Sequence, residues 1–174
     1  MNVYIVRHGQ VLHNALKVYS NEDEDLTEKG IDQAKQLKNE IQNLEYDVII
    51  CSPLLRARHT AEIINVKNRD ILFDNRLKER NPGNLNGKPI SYTNREEYWN
   101  FNSNIQYGTS ENMKTFFERV FAFLDDLKTK DYDSVLVVAH SGVSKAFNAY
   151  FQGIRDGKFL EHGLKNCEIR MYEL

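Results

Sequence analysis

The chain has 174 residues, a formal net charge of -2 and a sequence pI of about 6.2. Its lysines and arginines are scattered among acidic residues, which disfavours nucleic acids and anionic membranes as partners. No apolar run approaches the ~20 residues of a membrane-spanning helix, and a strand-like segment at the very start leaves no room for a signal peptide. We therefore expect one cytoplasmic domain over residues 1–174, with a core large enough for an enzyme.

The N-terminal segment predicts a buried strand followed by an amphipathic helix. Residues Val3–Val6 form a short β-branched run, typical of a strand buried on both faces, and Arg7–Gly9 ends it abruptly. Thr27 is a suitable N-cap for the helix. The apolar residues that recur at helical spacing after it are Ile31, Ala34, Leu37 and Ile41.

A second unit of the same kind follows. Asp47–Cys51 predicts another buried strand, and Ser52 and Pro53 stop it before a helix that carries Arg56. We place Pro53 in the first turn of this helix, where a missing N–H costs little. A short strand is predicted near Ile71–Phe73.

The next segment predicts a loop and two helices. Residues 80–88 are rich in Gly and Asn and predict a loop. The aromatic stretch Tyr92–Phe101 predicts a short helix that forms either a lid over a ligand or part of the core. Asn112 is the expected N-cap of a long helix. The apolar residues of that helix are Phe116, Val120, Phe123, Leu124 and Leu127.

The C-terminal part repeats the pattern of the N-terminal part. The run SVLVVA predicts a buried strand that ends at His140, and a helix over Val143–Phe151 and a strand over Glu168–Tyr172 follow. No repeat, linker or low-complexity segment interrupts this alternation of strands and helices. The pattern predicts an α/β sandwich with a mostly parallel central sheet.

Polar residues follow three of the predicted strands. Ligands of open α/β sheets bind beyond the carboxyl ends of the strands, which lie at one edge. The residues expected there are Arg7, His8, Ser52, Arg56 and His140. Two guanidinium groups suit a phosphate dianion, which they bind in bidentate fashion. We also expect the residues that follow the two histidines to contact the phosphate, in part through backbone N–H groups: Gly9, Gln10, Ser141 and Gly142.

The two histidines differ in predicted role. Cationic neighbours disfavour protonation of an imidazole, and a neutral ring nitrogen is a competent nucleophile toward phosphorus, which we predict for His8. His140 is the candidate that stabilises the equatorial oxygens in a loose transition state. A lone histidine at a strand end is usually structural, whereas two with nearby glycines favour catalysis. We expect His13 to face solvent.

Several short motifs occur in a fixed order along nearly the whole chain. They are VRHGQ with Asn14, LTEKGIDQA, SPLLRARHTAE, LKERNPGNLNG, SENMKTFFERV and VVAHSGV. Their order and spacing resemble those of the histidine phosphatase superfamily, which includes the cofactor-dependent phosphoglycerate mutases. The resemblance implies a three-layer α/β/α, phosphoglycerate mutase-like fold. It also implies a phosphohistidine at His8, cradled by Arg7, Arg56 and His140, with no metal and no cofactor.

The same resemblance implies roles for residues that chemistry alone does not single out. Asn14 would help to hold the phosphoryl group, and Glu79 would be the general acid for the leaving oxygen and then the base for water. Taken alone, Glu79 lies in a charged run and is better interpreted as a solvated carboxylate. Glu111 matches a motif glutamate. Val11 replaces the family's usual Thr, which predicts an altered substrate mouth.

The sequence favours hydrolysis over transfer between substrates. The mutases carry a longer insertion before the SEN segment, whereas here only Lys88–Gly108 intervenes, so water would reach the site. The acidic run Glu22–Asp25 either lies at the mouth and repels bisphosphorylated substrates, or is a solvated loop before a helix. We predict a phosphatase acting on a phosphomonoester of a small molecule. The alternatives are a phosphoglycerate mutase and a catalytically idle phosphate-binding module; neither the substrate nor the oligomeric state is indicated.

Overall fold

A computed structural model describes residues 1–20 and 24–174 of the chain. It contains a five-stranded sheet in the order β3-β2-β4-β1-β5. The strands are β1 (Asn2–Arg7), β2 (Val48–Cys51), β3 (Ile71–Phe73), β4 (Ser134–Ala139) and β5 (Ile169–Glu173). Strands β1 to β4 are parallel, and β5 pairs with β1 in antiparallel register. The predicted class, a mostly parallel α/β fold, is confirmed.

Helices link the strands in the described part of the chain. They are α1 (Leu12–Leu16), α2 (Glu28–Glu40), α3 (Leu55–Ile64), α4 (Arg95–Tyr98), α5 (Met113–Leu127) and α6 (Ser141–Gln152). The predicted caps form: Thr27 accepts from an N–H of α2, and Asn112 accepts from two N–H groups of α5. Helix α1 was not predicted. Within the described ranges, no helix combines the length and the apolarity that crossing a membrane requires.

Pro53 lies before α3 rather than in its first turn. The chain bends at Pro53 and Leu54 after β2, and Leu54, whose backbone angles are extended, is the N-cap residue of α3. The first intrahelical hydrogen bonds run to the carbonyl of Leu54. Pro53 therefore directly precedes the N-cap residue, and its predicted place in the first turn was wrong.

Two apolar clusters cover opposite faces of the sheet because side chains alternate along each strand. On one face Val3 and Ile5 pack with residues of α5 and α6, among them Phe116. On the other face Val6 packs with residues of α2 and α3, among them Leu37. The helices thus form two outer layers, and the structure is the expected three-layer α/β/α sandwich.

The strand order creates a crevice at one edge of the sheet. Strand β4 lies between β1 and β2, so two strands that are consecutive in the chain are separated in the sheet. Such a switch point separates the loops that follow the strands and opens a ligand site beyond their carboxyl ends. The loops after β1, β2 and β4 meet there.

Candidate active site

The ends of β1 and β4 bring two buried histidines into contact. The rings of His8 and His140 lie edge to face with their centroids 5.1 Å apart, and both side chains are buried. A cleft of about 540 Å³ opens beside them. The predicted site residues that line this cleft are Arg7, His8, Asn14, Arg56, Glu79 and Ser141.

A backbone carbonyl orients the ring of His8. Its Nδ1 lies 2.7 Å from the carbonyl oxygen of Gly9, and because a carbonyl only accepts, Nδ1 carries the proton. Nε2 therefore carries the lone pair. Burial lowers the pKa of His8 well below its usual range, and the charges of Arg56 and Arg7 lower it further. The imidazole is neutral and its Nε2 is unprotonated.

Two arginines place positive charge next to this ring. Arg56 lies in the first turn of α3 and is 2% exposed. Arg7 ends β1, and its Nη1 donates to the carbonyl of Leu164 at 2.9 Å. Burial lowers the pKa of Arg7, Glu79 raises it and the like charge of Arg56 lowers it again. Two guanidinium groups confined together repel each other, so the crevice favours an anion.

His140 is held by a hydroxyl at the end of β2. Its Nε2 lies 2.7 Å from Ser52 Oγ. Burial and the charge of Arg56 lower the pKa of His140 well below its usual range, so this ring is also neutral. Its Nδ1 is buried and has no hydrogen-bond partner within residues 1–20 and 24–174. A buried polar atom of this kind indicates a ligand or water in the complete site.

Two backbone N–H groups hold the carboxylate of Glu79 at the cleft. Arg80 N donates to Oε1 at 2.8 Å and Gly142 N donates to Oε2 at 3.0 Å. This placement of the carboxylate requires glycine at position 142, because a Cβ there would collide with Oε1 and lie 2.9 Å from Cη2 of Trp99. Gly142, expected as a phosphate donor, therefore holds Glu79 with its N–H.

Arg119 anchors the segment that carries Glu79. Its guanidinium donates to the carbonyls of Lys78 at 2.8 Å and Glu79 at 3.1 Å, and it pairs with Glu111 at 2.8 Å. Glu111, which matches a motif glutamate, thus acts on the cleft through Arg119. Sequence reasoning missed Arg119, although it lies in the same SENMKTFFERV motif.

Comparison with known proteins identifies the family. The model of the histidine phosphatase superfamily (branch 1) matches residues 3–174. The chain belongs to this superfamily.

The relatives of the chain include both phosphatases and mutases. A Hydrogenobacter thermophilus protein with the provisional name phosphoserine phosphatase 2 is 33% identical over 160 residues, which cover 87% of this chain and 79% of that protein. A Shigella boydii protein with the provisional name phosphoglycerate mutase GpmB is 34% identical over 178 residues, which cover 97% and 83%. The fold matches that of mycobacterial glucosyl-3-phosphoglycerate phosphatase, with a TM-score of 0.86, 20% identity and coverage of 98% and 91%.

In this member of the superfamily, the N–H groups after His8 bind the protein rather than the cleft. Gly9 N donates to Thr60 Oγ1 at 3.1 Å, and Gln10 N donates to Gln33 Oε1 at 2.8 Å. A Cβ on Gly9 would also collide with the backbone of α2. The expectation that Gly9 and Gln10 donate to phosphate is not met, because these groups join the loop to α2 and α3.

Asn14 lines the cleft and is oriented by two donors. Its Oδ1 accepts from Val11 N at 3.3 Å and from Asn166 Nδ2 at 3.2 Å, which leaves its own amide N–H groups for a ligand. Asn166, which sequence reasoning missed, also donates to the carbonyl of His8 at 2.9 Å. Val11 is fully buried and outside the cleft wall, so its difference from the superfamily pattern does not alter the mouth.

His13 lines the cleft, contrary to the expectation that it faces solvent. Its Nδ1 lies 2.9 Å from Glu24 Oε1, so the acidic run contacts one residue of the cleft wall. Asp25 pairs with His59 at 2.9 Å. The other acidic residues of that run, Glu22 and Asp23, lie outside the described residues.

The aromatic segment before α5 forms core and cleft wall together. Tyr98 and Trp99 are 2% and 7% exposed and both line the cleft. They pack into the apolar cluster beneath α5 and α6, which favours the core interpretation over a lid. Lys145 on α6, which sequence reasoning also missed, is buried in the same wall. Its only signal was a lysine within the apolar run VSKAF.

Proposed function

We propose that the chain is a phosphatase that hydrolyses a phosphomonoester of a small molecule through a phosphohistidine on His8. The observation that carries the proposal is the orientation of the His8 ring. The carbonyl of Gly9 keeps the proton on Nδ1, so the lone pair of Nε2 is available beside two guanidinium groups.

In the first step, the lone pair of His8 Nε2 attacks phosphorus and the bond from phosphorus to the ester oxygen breaks. Glu79 acts as the general acid and gives a proton to the departing oxygen. Arg7 and Arg56 bind the non-bridging oxygens and stabilise the charge that spreads over them. The ring of His140 provides a further polar nitrogen beside these oxygens. The products are the free alcohol, a phosphohistidine and the carboxylate of Glu79.

In the second step, the Glu79 carboxylate takes a proton from water as the water oxygen attacks phosphorus. The bond between phosphorus and Nε2 breaks, and its electron pair returns to His8. Inorganic phosphate leaves, and Glu79 is protonated again, so the enzyme regains its starting state. Asn14, whose amide N–H groups are available, would help to hold the phosphoryl group in both steps.

Hydrolysis is supported over transfer by the segment between the Glu79 loop and α5. Its rings Tyr98 and Trp99 are fixed in the core, and the cleft beside them is open to water. A phosphoglycerate mutase is the second candidate, because a relative with that provisional name is 34% identical over nearly the whole chain.

The phosphatase is tested by trapping the intermediate. Acid-sensitive, base-stable label from a radioactive phosphomonoester should appear on the wild type and on His162→Asn, whose exposed histidine lies outside the cleft. His8→Asn should take up no label and should not turn over p-nitrophenyl phosphate. Turnover by His8→Asn would refute the proposal. Bisphosphate-dependent interconversion of phosphoglycerates that outpaces phosphate release would assign the mutase activity instead.

A further inference from the structure

Lys145 is a buried lysine in the cleft wall that the proposed phosphoryl transfer does not use. It lies on α6, is 3% exposed and lines the cleft. Its Nζ donates to the carbonyl of Phe159 at 2.7 Å and to that of Leu160. Within residues 1–20 and 24–174, no carboxylate forms an ion pair with it. Burial without a carboxylate partner favours the neutral form of a lysine side chain.

The hydrogen bonds of Lys145 suit a neutral amine. Such an amine has two N–H bonds and one lone pair, and the carbonyls of Phe159 and Leu160 accept both N–H bonds. The lone pair then remains for an electrophile. Lysines that are desolvated, or that lie beside another cation, are those that act as nucleophiles toward carbonyl compounds. Lys145 meets both conditions, because Arg95 lines the same cleft.

The charged groups around Lys145 keep much of it neutral near pH 7. Burial lowers the pKa of Lys145 to about 7, Glu79 raises it and Arg95 lowers it. Smaller effects come from Glu161, which raises it, and Arg7, which lowers it. When Glu79 carries a proton its effect is lost, and the pKa of Lys145 is lower still. At pH 7 about half of the Lys145 amines are neutral, compared with fewer than about one in 10³ of exposed lysines.

Lys145 Nζ lies close to the strand end that carries His140. A Cβ on Gly163 would lie 2.3 Å from Ser141 Oγ and 3.1 Å from Lys145 Nζ, so the residue after His140 and the amine flank one glycine. The Nζ is also 4.9 Å from the ring centroid of Trp99, an apolar surface for the body of a ligand. The cleft, of about 540 Å³, is large enough for a small molecule that contacts both the strand ends and this amine.

We propose that Lys145 is a covalent site for small phosphomonoesters that also carry an aldehyde. The phosphate binds Arg7 and Arg56 and the aldehyde reacts with Nζ, so the inference rests on the phosphate site of the proposed function. The lone pair of Nζ attacks the aldehyde carbon. The aldehyde oxygen leaves as water with one hydrogen from Nζ and one proton from solvent. The product is a protonated imine, whose remaining N–H donates to one of the two carbonyls. Water reverses the reaction, so the bound aldehyde is a reversible inhibitor.

Pyridoxal 5′-phosphate carries both groups and is the probe. The matched control is 5′-deoxypyridoxal, which has the same aldehyde and no phosphate. The protein is His8→Asn, which leaves the phosphate ester intact. Borohydride reduces the imine to a stable secondary amine, and peptide mass spectrometry locates it. At pH 7 we expect Lys145 to be labelled at least about 10-fold faster than any exposed lysine, and inorganic phosphate to prevent this labelling. Label on exposed lysines alone, equal labelling of Lys145 by probe and control, or labelling that saturating phosphate leaves unchanged would overturn the site.

Activity measurements separate reaction at Lys145 from reaction elsewhere. Pyridoxal 5′-phosphate followed by borohydride should permanently abolish turnover of p-nitrophenyl phosphate by the wild type. Lys145→Arg keeps a cation but forms no imine, so it should regain its own initial activity after dialysis. Lys158→Met, which lacks an exposed lysine outside the cleft, should be inactivated like the wild type. Permanent inactivation of Lys145→Arg would overturn the site, and if this variant fails to fold, the peptide map of His8→Asn decides.

The covalent site and the phosphatase proposal have separate readouts. If the wild type hydrolyses no phosphomonoester, including p-nitrophenyl phosphate, the proposed function fails, and labelling of His8→Asn still decides the covalent site. If the wild type turns over p-nitrophenyl phosphate and Lys145 takes up no label, the covalent site alone fails. The pH dependence provides a further check: labelling of Lys145 should rise from pH 6 and level off by about pH 8, whereas labelling of exposed lysines should continue to rise. Parallel pH profiles would overturn the site.

Discussion

The two buried histidines make the stability of the fold sensitive to acid. His8 and His140 are neutral in the folded protein, with pKa values well below the usual range because of burial and the charge of Arg56. In the unfolded chain each returns to a pKa of about 6.5. Below that pH the unfolded chain binds protons that the folded protein does not, so the free energy of unfolding falls as pH falls. From pH 7.5 to 5.5 the loss is about 1.4 kcal/mol for each histidine and about 2.7 kcal/mol for the pair.

Urea denaturation at pH 7.5, 6.5 and 5.5, in buffer free of phosphate, measures this loss. His8→Asn provides the comparison, because its amide can still donate to the carbonyl of Gly9 and does not titrate. We expect its loss between pH 7.5 and 5.5 to be smaller than that of the wild type by about 1.4 kcal/mol. The other titrating groups contribute to both proteins, and His140, whose pKa His8 also lowers, keeps the larger effects of burial and the charge of Arg56 in the variant. An equal loss in both would refute the neutrality of His8 in the fold.

Three further predictions follow from single contacts. Gly142→Ala displaces the Glu79 carboxylate, so kcat on p-nitrophenyl phosphate should fall by about 10² to 10⁴ while inhibition by inorganic phosphate changes little; a kcat within threefold of wild type would contradict this. Inorganic phosphate at about 100 times its Kd should raise the free energy of unfolding by about 2.7 kcal/mol, measured by urea denaturation against a chloride control of equal ionic strength. Arg119→Met leaves the carboxylate of Glu111 without its cation and should lower the free energy of unfolding by about 3 kcal/mol in the same assay. A loss below about 1 kcal/mol would show that this pair does not anchor the segment that carries Glu79.

Much of the fold could be predicted because its periodicities are local. The run Val3–Val6 carries the pattern of a doubly covered strand, and Thr27 and Asn112 are caps whose hydrogen bonds span only a few residues. The antiparallel direction of β5 could not be predicted, because the residue pattern of this edge strand is compatible with either direction. Helix α1 was missed because five residues are too short for a helical period, and it has no buried residue.

The site residues also divide into those that the sequence could predict and those that it could not. Residues that follow a strand directly, such as His8 and His140, could be placed from the chain alone, since topology brings strand ends together. Asn166 could not, because its contact with the carbonyl of His8 joins residues 158 positions apart. The N–H of Gly9 shows the opposite error: a glycine after a catalytic histidine predicts an anion donor, but Thr60, one turn beyond Arg56, accepts that N–H.

The buried cations connect stability with function. Arg56 is 2% exposed and lies near Arg7, whose pKa it lowers, so an anion bound beside them relieves their repulsion. Arg56→Met removes one of the two charges that the proposed reaction uses to bind phosphate. We therefore expect saturating phosphate to raise the free energy of unfolding less in this variant than in the wild type, by urea denaturation with and without phosphate. An equal rise in both proteins would show that Arg56 supports the fold and not the anion site, because an arginine that only supports the fold changes stability by the same amount at every phosphate concentration.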